Sequence, residues 1–332
     1  MRTPKYWYRP ADRQNIFSFL LAPFGWLYAR GTANRVSRPT ELSPKCPVIC
    51  IGNLNAGGTG KTPTVIAVTQ ICQSLGARVC VVSKGYKGSF HGPVEVDPKR
   101  HFAIETGDEP LLLAEFAPTI VAKNRVKGVL AAMNQKPDII LLDDGHQDPS
   151  VKKNLSIVVV DAEKGFGNGL CVPAGPLREP VLEGLKRADI LLSIGDHKAQ
   201  SLFLDKWGNK PTTKHLTAKL NPLETGMNWS EGLYLAFAGI GNPEKFFATL
   251  ESLGAEIVHR EALEDHQKLS STLLMRLKSL AKKHGAQLVT TEKDAVRLPS
   301  DLLCNVLTLP VRLNLDQPDT FKEVIKSALN SK

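Results

Sequence analysis

Short apolar runs alternate with amphipathic segments along most of the chain. The runs are rich in valine, isoleucine and leucine, have the length of buried strands, and cover residues 48–51, 78–83, 120–122, 139–142, 157–160 and 190–193. Between the first two runs, apolar side chains recur at helical spacing from Val65 to Leu75, and Gly76 then provides a stop. This alternation predicts an α/β fold, with a mainly parallel, doubly wound sheet and helices on both faces.

The alternation weakens around residues 209–232 and then begins again. The second series predicts a strand from residue 233, then a helix at 243–253, a strand at 256–259, a helix at 270–284, strands at 288–290 and 305–309, and a helix at 319–329. We therefore expect an N-terminal segment at 1–38, a larger α/β domain at 39–220 and a smaller α/β domain at 221–332.

The first apolar run leads into a glycine-rich turn and then a helix, which is the order of a phosphate-binding loop. In such a loop the backbone N–H groups surround a phosphate, the lysine reaches the β- and γ-phosphates, and the next hydroxyl ligates Mg²⁺. Lys61 and Thr62 match the last two roles. The pattern predicts a nucleotide site formed by Asn55, Ala56, Gly57, Gly58, Thr59, Gly60, Lys61 and Thr62.

Two positions in this loop differ from common phosphate-loop patterns, and one of them argues against a class of ATPase. Asn55 stands where the usual pattern opens with glycine, and asparagine is among the few other residues that tolerate a left-handed backbone. Ala56 stands where partitioning-type ATPases carry a second lysine, which argues against that class. The guanine-reading pattern Asn-Lys-x-Asp is also absent from the sequence.

A pair of carboxylates follows the apolar run at 139–142. In phosphate-loop enzymes, a carboxylate at the end of such a strand holds Mg²⁺ together with the hydroxyl of the loop. We therefore expect Asp143 or Asp144 to bind the metal with Thr62, and the other carboxylate to support it by hydrogen bonding.

The N-terminal segment contains an apolar stretch at residues 16–28 with arginines on both sides. A signal peptide is disfavoured because a nucleotide site follows and no small-residue cleavage site is visible. A membrane-spanning helix is disfavoured because the stretch is short and contains Pro23 and Gly25. We favour a segment lying in the membrane interface, and a helix packed on the protein's own core remains the alternative.

The composition and charge of the chain limit the classes of partner that we expect it to bind. The 332 residues are 42% hydrophobic, enough for two domains with separate cores. The formal net charge of +9 suits nucleic acid, an anionic membrane surface or a phosphorylated substrate, but with 6% aromatic residues and no nucleic-acid motif we expect no nucleic-acid partner. The six cysteines lack paired spacing, which predicts reduced thiols and no zinc site. No feature points to an obligate protein partner.

Further motifs complete a pattern that resembles the tetraacyldisaccharide 4′-kinase family, the lipid A 4′-kinases of Gram-negative bacteria. Besides the phosphate loop and Asp143-Asp144-Gly145, the matching pieces lie at residues 107–110, 165–169, 173–180, 239–243, 265–266 and 291–294. Their order and combination extend through nearly the whole chain.

This resemblance implies ATP as phosphoryl donor, Mg²⁺ as metal, and the 4′-hydroxyl of a tetraacyl glucosamine disaccharide 1-phosphate as acceptor in lipopolysaccharide biosynthesis. It implies a peripheral or monotopic location at the cytoplasmic face of the inner membrane, with segment 1–38 as the membrane-docking part. It also implies an active site in the cleft between two α/β/α domains. The basic net charge agrees with a phosphorylated lipid at an anionic surface.

The resemblance also implies residue roles beyond the catalytic charge of Lys61. Arg178 would neutralise phosphate charge, Glu179 would complete the metal environment, and Asp108 with His266 would accept the proton of the attacking hydroxyl. From the residues alone, a helix cap is the stronger interpretation of Asp108, and His266 lies in a polar, loop-like stretch that fits a plain surface residue.

Two positions depart from the family pattern. Lys84 stands where the family more often has arginine, so a bidentate guanidinium contact at that position becomes a point charge. Asp148 stands where the family commonly has histidine, so the role of that histidine is not carried over, and it is not assigned to His146. The rival hypothesis is a membrane-associated ATPase that works as a conformational switch and phosphorylates no acceptor.

Overall fold

The structure, a computed structural model, describes residues 4–8, 16–208, 213–265 and 267–331, and its strands form a larger and a smaller sheet. The larger sheet contains β1 (Val48–Gly52), β2 (Val79–Ser83), β3 (Val94–Glu95), β4 (Thr119–Val121), β5 (Ile139–Asp143), β6 (Leu155–Asp161), β7 (Ile190–Ile194), β8 (Lys214–Pro222) and β13 (Val311–Leu315). The smaller sheet contains β9 (Leu233–Ala238), β10 (Glu256–Ala262), β11 (Gln287–Thr291) and β12 (Val306–Leu309).

The helices are α1 (Ile16–Val36), α2 (Lys61–Ser74), α3 (Ala103–Thr106), α4 (Asp108–Leu113), α5 (Arg125–Met133), α6 (Val181–Leu185), α7 (His197–Trp207), α8 (Pro243–Ser252), α9 (Ser271–His284), α10 (Glu292–Ala295), α11 (Ser300–Leu303) and α12 (Pro318–Asn330). A 3₁₀ turn, Lys5–Tyr8, precedes them.

The larger sheet is mainly parallel, as the sequence predicts. Its order is β13-β8-β7-β6-β1-β5-β2-β4-β3, and only the outer strands β3 and β13 pair antiparallel with their neighbours among the described residues. The central strand β1 pairs with β5 on one side and β6 on the other. Because parallel strands end at the same edge, the loop after β1 and the carboxylates after β5 are neighbours.

Buried aliphatic side chains hold the layers together. β1 and β5 are buried along their whole length, and the side chains of β1 alternate between two clusters. Ile49 and Ile51 pack against Val65 and Val68 of α2, whereas Val48 and Cys50 face the side where Val129 of α5 packs. Helices therefore cover both faces, which explains why these strands are continuous apolar runs.

The end of the chain returns to the larger sheet. β13 pairs antiparallel with β8, and Phe321 and Ile325 of α12 are fully buried in the cluster that contains α2. The sequence pattern places residues 319–329 in the smaller unit, because local periodicity identifies a helix but not the surface on which it packs. The smaller sheet is accordingly formed by residues 233–309, and the divisions at residues 38 and 220 remain proposals.

The two connections to the smaller unit lie side by side. Pro222, at the end of β8, is paired with Val311, at the start of β13. The next residue, Leu223, donates its backbone N–H to Pro310 O at 2.9 Å. The chain therefore leaves and re-enters the larger sheet at one place.

Helix α1 presents small residues to the protein and large apolar residues to the outside. Ser18, Gly25 and Thr32 are its buried residues, and a Cβ built on Gly25 would lie 2.8 Å from Cys171 O. The exposed apolar side chains are Ile16, Phe17, Phe19, Leu20, Phe24, Trp26, Leu27 and Tyr28. No helix in the described ranges is long and apolar enough to cross a membrane.

Candidate active site

The glycine-rich loop closes the carboxyl end of β1. Gly60 has a φ of 94°, in the left-handed region, and ends the loop immediately before α2 begins at Lys61. The Nδ2 of Asn53 donates to Gly57 O and Thr59 Oγ1, both at 3.1 Å. The loop is thus held from inside by an asparagine side chain, while positions 57 and 58 have open space where a Cβ would stand.

Asn55 and Ala56 brace the loop from behind. Asn55 Nδ2 donates to Gly165 O at 2.9 Å, and the Ala56 N–H donates to Pro176 O at 2.6 Å. The φ of Asn55 is not positive, so the expected reason for asparagine at this position, tolerance of a left-handed backbone, is wrong. Its side-chain contact with Gly165 is the physical reason that the structure provides.

Asp144 lies between two cations. Arg178 Nη1 donates to both of its carboxylate oxygens, at 2.8 and 3.0 Å, and Lys61 Nζ lies 3.7 Å from Oδ1. Burial alone would raise the pKa of Asp144, but Lys61 and Arg178 outweigh burial and hold the pKa well below its usual range. The three residues therefore form a charged cluster at the end of the phosphate loop. The predicted roles of Lys61 on phosphate and of Asp144 on the metal stay predictions.

Asp143 is buried behind this cluster. Ser83 Oγ donates to its Oδ2 at 2.8 Å, and Oδ1 is buried without a hydrogen-bond partner among the described residues. Burial, helped by the negative charges of Glu109 and Asp144, raises the pKa of Asp143 to about 6. A buried carboxylate oxygen without a partner is costly unless a cation or donor completes the site.

This pair of aspartates fits Mg²⁺. Mg²⁺ is commonly held by one or two carboxylates together with a hydroxyl and phosphate oxygens, and Thr62 is a buried hydroxyl residue in the first turn of α2. In the described part of the chain, no group of three or more His, Cys, Asp or Glu side chains is placed to hold a metal by itself. The unpaired oxygen of Asp143 is the observation that favours a metal here.

Glu179 has a different setting. It is 3% exposed, and Arg187 Nη2 donates to both of its oxygens, at 2.8 and 2.7 Å. Gln147 Nε2 donates to Glu179 Oε1 at 3.0 Å and to Asn53 O at 2.8 Å. In this structure Glu179 links the α6 region to the phosphate loop, and its metal role stays a prediction.

Arg125, which belongs to none of the sequence motifs, organises the two aspartates. Its side chain is 1% exposed, and Nη2 donates to the backbone oxygens of Asp143 and Asp144, both at 2.6 Å. Asp144 needs this support because its φ is 53°, an uncommon value for a residue other than glycine. The sequence feature that could have identified Arg125 is its position as a basic residue in the first turn of α5, the helix that follows β4.

His146 is structural. It is buried, its Nε2 lies 2.8 Å from Gly184 O, and burial lowers its pKa to about 4. A Cβ on Gly52 would lie 2.5 Å from the Cβ of this histidine, so the close approach of the two segments requires glycine at that position.

Asp108 begins helix α4 and is 5% exposed. Its Oδ1 accepts a hydrogen bond from the N–H of Glu109 at 3.0 Å. The N-cap of α4 is Gly107, and no side chain makes a capping hydrogen bond there, so Asp108 is an acidic residue of the first turn and not a cap. Its catalytic role stays a prediction. The predicted partner, His266, lies outside the described residues.

A cavity of about 260 Å³ separates the phosphate loop from the smaller unit. Its polar side is formed by the loop from Gly58 to Thr62, and its opposite wall includes Ile240, Phe246 and Leu309. A second, polar cavity of about 440 Å³ lies on the other side of Asp144 and Arg178. Asp144 therefore stands at the boundary of the second cavity while Lys61, its ion-pair partner, lines the first.

The second cavity contains the two departures from the family pattern. Lys84 Nζ lies 2.9 Å from Asp148 Oδ2, so the two unusual residues pair with each other. Arg35 and Arg38, at and just beyond the end of α1, also line this cavity. Among the described residues, the cavity is thus lined by four basic side chains and three carboxylates, Glu41, Asp144 and Asp148, and it adjoins α1.

Comparisons with known proteins agree with this geometry. A family model described as tetraacyldisaccharide-1-P 4′-kinase matches residues 17–330. The chain is 55% identical over 316 residues to the tetraacyldisaccharide 4′-kinase of Dinoroseobacter shibae, covering 95% of this chain and 94% of that protein. It is 44% identical over 328 residues to the tetraacyldisaccharide 4′-kinase of Methylorubrum extorquens strain PA1, covering 99% of each. The crystal structure of the "apo" form of LpxK from Aquifex aeolicus in complex with ATP matches with a TM-score of 0.77 and 25% identity, over 95% of this chain and 100% of that chain. The resemblance inferred from the motifs is confirmed.

Proposed function

The chain belongs to the tetraacyldisaccharide-1-P 4′-kinase family and is a kinase of that kind, and we propose which of its residues carry the reaction. The reaction transfers the γ-phosphoryl group of ATP to the 4′-hydroxyl of a tetraacyl glucosamine disaccharide 1-phosphate. The observation that carries the assignment is the cluster of Lys61, Asp144 and Arg178 beside the unpaired oxygen of Asp143.

ATP occupies the cavity between the phosphate loop and the smaller unit. The N–H groups of Gly58 to Lys61 and the Lys61 ammonium face the β- and γ-phosphates, and the apolar wall with Phe246 receives the base. Asp143, Asp144 and Thr62 hold Mg²⁺, which supplies positive charge to the phosphates when it is bound. Lys61 and Arg178 both contact Asp144, next to the phosphate loop. They are therefore close enough to transfer their contacts from Asp144 to phosphate when the nucleotide enters.

The acceptor head group occupies the polar cavity beside Asp144. Four cations line it together with three carboxylates, and the excess of positive charge suits a phosphorylated sugar. The cations are Arg35, Arg38, Lys84 and Arg178. The exposed apolar face of α1 adjoins this cavity and lies in the interface of the inner membrane on its cytoplasmic side. The acyl chains then stay in the lipid while the head group reaches the site.

Asp108 and His266 accept the proton of the 4′-hydroxyl. A positioned base near neutrality is what such a hydroxyl needs to become a nucleophile. Asp108 is contributed by the larger unit and His266 by the smaller one, so closing the cleft assembles the base and limits ATP hydrolysis without acceptor.

The test is the fate of the label when purified protein is incubated with γ-labelled ATP and an extracted lipid A precursor. Label in the lipid supports the kinase, whereas label released only as free phosphate supports the conformational switch. Lys61→Ala should lower transfer at least about a hundredfold, because it removes a preorganised charge at the transition state. Lys278→Ala, an exposed lysine on α9, is the matched control and should leave transfer unchanged. Near-normal transfer by Lys61→Ala would remove the phosphate loop from the mechanism.

A further inference from the structure

Lys293 is a largely buried cation at the contact between the two units. It lies on α10 of the smaller unit, and its side chain is 20% exposed. Its Nζ lies 3.2 Å from Glu109 Oε1 on α4 and 3.9 Å from Asp265 Oδ1. Glu109 follows Asp108 in the chain, and Asp265 precedes His266. One cation therefore contacts the chain neighbour of each member of the proposed base pair.

The two described neighbours of position 266, Asp265 and Gln267, are each held by hydrogen bonds. The N–H of Gln267 donates to Glu264 O at 2.8 Å, and Arg297 Nη1 donates to Gln267 O at 2.9 Å. From the larger unit, Lys87 Nζ lies 3.4 Å from Asp265 O. The backbone on either side of position 266 is thus fixed by residues 87 and 297, and the side chain of Asp265 by Lys293.

Helix α10 is itself rigidly anchored. The Asp294 carboxylate accepts from the N–H of Gly239 at 3.1 and 3.0 Å, accepts from Thr291 Oγ1 at 2.7 Å, and is paired with Arg297. The Glu292 carboxylate accepts from Arg312 Nη1 at 2.9 and 2.8 Å. These contacts explain the acidic positions of the motif at 291–294, and they leave its lysine aimed at the cleft.

The charge of Lys293 is maintained by its surroundings. Burial lowers the pKa of Lys293, but the negative charges of Glu109, Asp108 and Asp265 outweigh burial and raise it. Carboxylates from both units therefore converge on one ammonium group, and removing that group would leave them close together without compensation.

We propose that Lys293 is a positioning residue that ties the segment of Asp108 to the segment of His266 and so holds the base pair together across the cleft. This inference rests on the proposed role of Asp108 and His266. Lys293 also lines the nucleotide cavity, so direct binding of ATP phosphate is the rival role, and ATP affinity separates the two.

The test compares Lys293→Met, which keeps the length but removes the charge, with Lys293→Arg, which keeps the charge. For Lys293→Met we expect kcat to fall roughly 10- to 100-fold with ATP affinity unchanged, because the base is displaced. The charged groups around Asp108 and Asp265 are Glu109, Lys87, Lys293 and Arg297. Losing one cation among them favours the protonated base, so the acid limb of the pH–rate profile should move to higher pH by about one unit. Lys293→Arg should return the limb to its original position.

The variant Asp108→Asn tests the catalytic role of the base pair separately from the positioning role of Lys293. If Asp108→Asn keeps wild-type turnover, the base pair itself is rejected, and the positioning role with it. If Asp108→Asn is impaired, Lys293→Met added to it should cause little further loss, because the residues act as one unit.

Two results would reject the positioning role while leaving the base pair in place. One is a lower kcat for Lys293→Met with an unmoved acid limb, and the other is weakened ATP binding. Should Lys293→Met fail to fold in thermal unfolding, Glu109→Gln replaces it. Glu109→Gln removes an anion from the same cluster, so its acid limb should move to lower pH, and an unmoved limb would again reject the inference.

Discussion

The exposed face of α1 leads to a quantitative prediction about membrane binding. Phe19 is 72% exposed and Trp26 61%, in a helix whose buried residues are small. We consider Phe19→Ser and Trp26→Ser, which remove apolar area from the outer face. Since neither side chain contributes to the core, we expect thermal stability to remain close to that of the wild type.

The expected loss of membrane-binding free energy follows from the exposed area of each side chain. About two thirds of an aromatic surface of roughly 200 Å² is about 130 Å², worth about 3 kcal/mol at about 25 cal/mol per Å² on complete transfer from water. A side chain at the head-group boundary transfers only part of this area, so about half, or about 1.5 kcal/mol, is realistic. Each substitution should therefore weaken partitioning about tenfold, and the pair about a hundredfold.

The assay is sedimentation with vesicles that contain anionic lipid, over a range of lipid concentrations. Met275→Ser is the matched control, because Met275 on α9 is 60% exposed and lies on the smaller unit, away from α1. We expect it to partition like the wild type. Equal losses for Met275→Ser and Trp26→Ser, or no loss for the double variant, would refute the assignment of this face to the membrane.

Three further predictions concern the base pair, the seat of α1 and one buried histidine. Asp108→Ala and His266→Ala should each lower turnover by about 10²–10⁴-fold with little change in ATP affinity, and fully additive losses in the double variant would contradict a shared role. Gly25→Ala should loosen α1 and raise its sensitivity to protease, because the new Cβ would meet Cys171 O, whereas Gly31→Ala has open space and should not; equal sensitivity would contradict the packing. Burial lowers the pKa of His215, so its contribution to stability is complete above its unfolded pKa of about 6.5 and declines as pH falls through that value. The midpoint of thermal unfolding should therefore drop more between about pH 7.5 and about pH 5.5 in the wild type than in His215→Gln, and equal drops would contradict it.

The features that the sequence predicts well are those encoded by local spacing. The phosphate loop can be identified because a strand, glycines, Lys61 and Thr62 are adjacent in the chain, and Asp143 and Asp144 because they directly follow an apolar run. The mainly parallel sheet follows from the same alternation of apolar runs and amphipathic segments.

The features that it does not predict depend on partners far apart in the chain. The side chain of Asn55 donates to the backbone of Gly165, 110 residues later in the chain. The side chain of Lys293 contacts Glu109, 184 residues earlier. Arg125 reaches the backbone of the two aspartates, and β13 pairs with β8 across the whole smaller unit. Local periodicity contains no information about such pairs. The contacts that hold the site residues in place can therefore be identified only from the three-dimensional structure.

The pairing of Pro222 with Val311 makes the smaller unit, in topological terms, the loop of a β-hairpin. A hairpin needs only a short turn to close, and β8 and β13 would keep their antiparallel register if residues 223–310 were replaced by Asn-Gly. The larger unit should then fold on its own, with the phosphate loop intact and half of the nucleotide cavity open to water. Because both connections lie at one place, we expect any motion of the smaller unit during a catalytic cycle to pivot there, opening and closing the cavity over the phosphate loop.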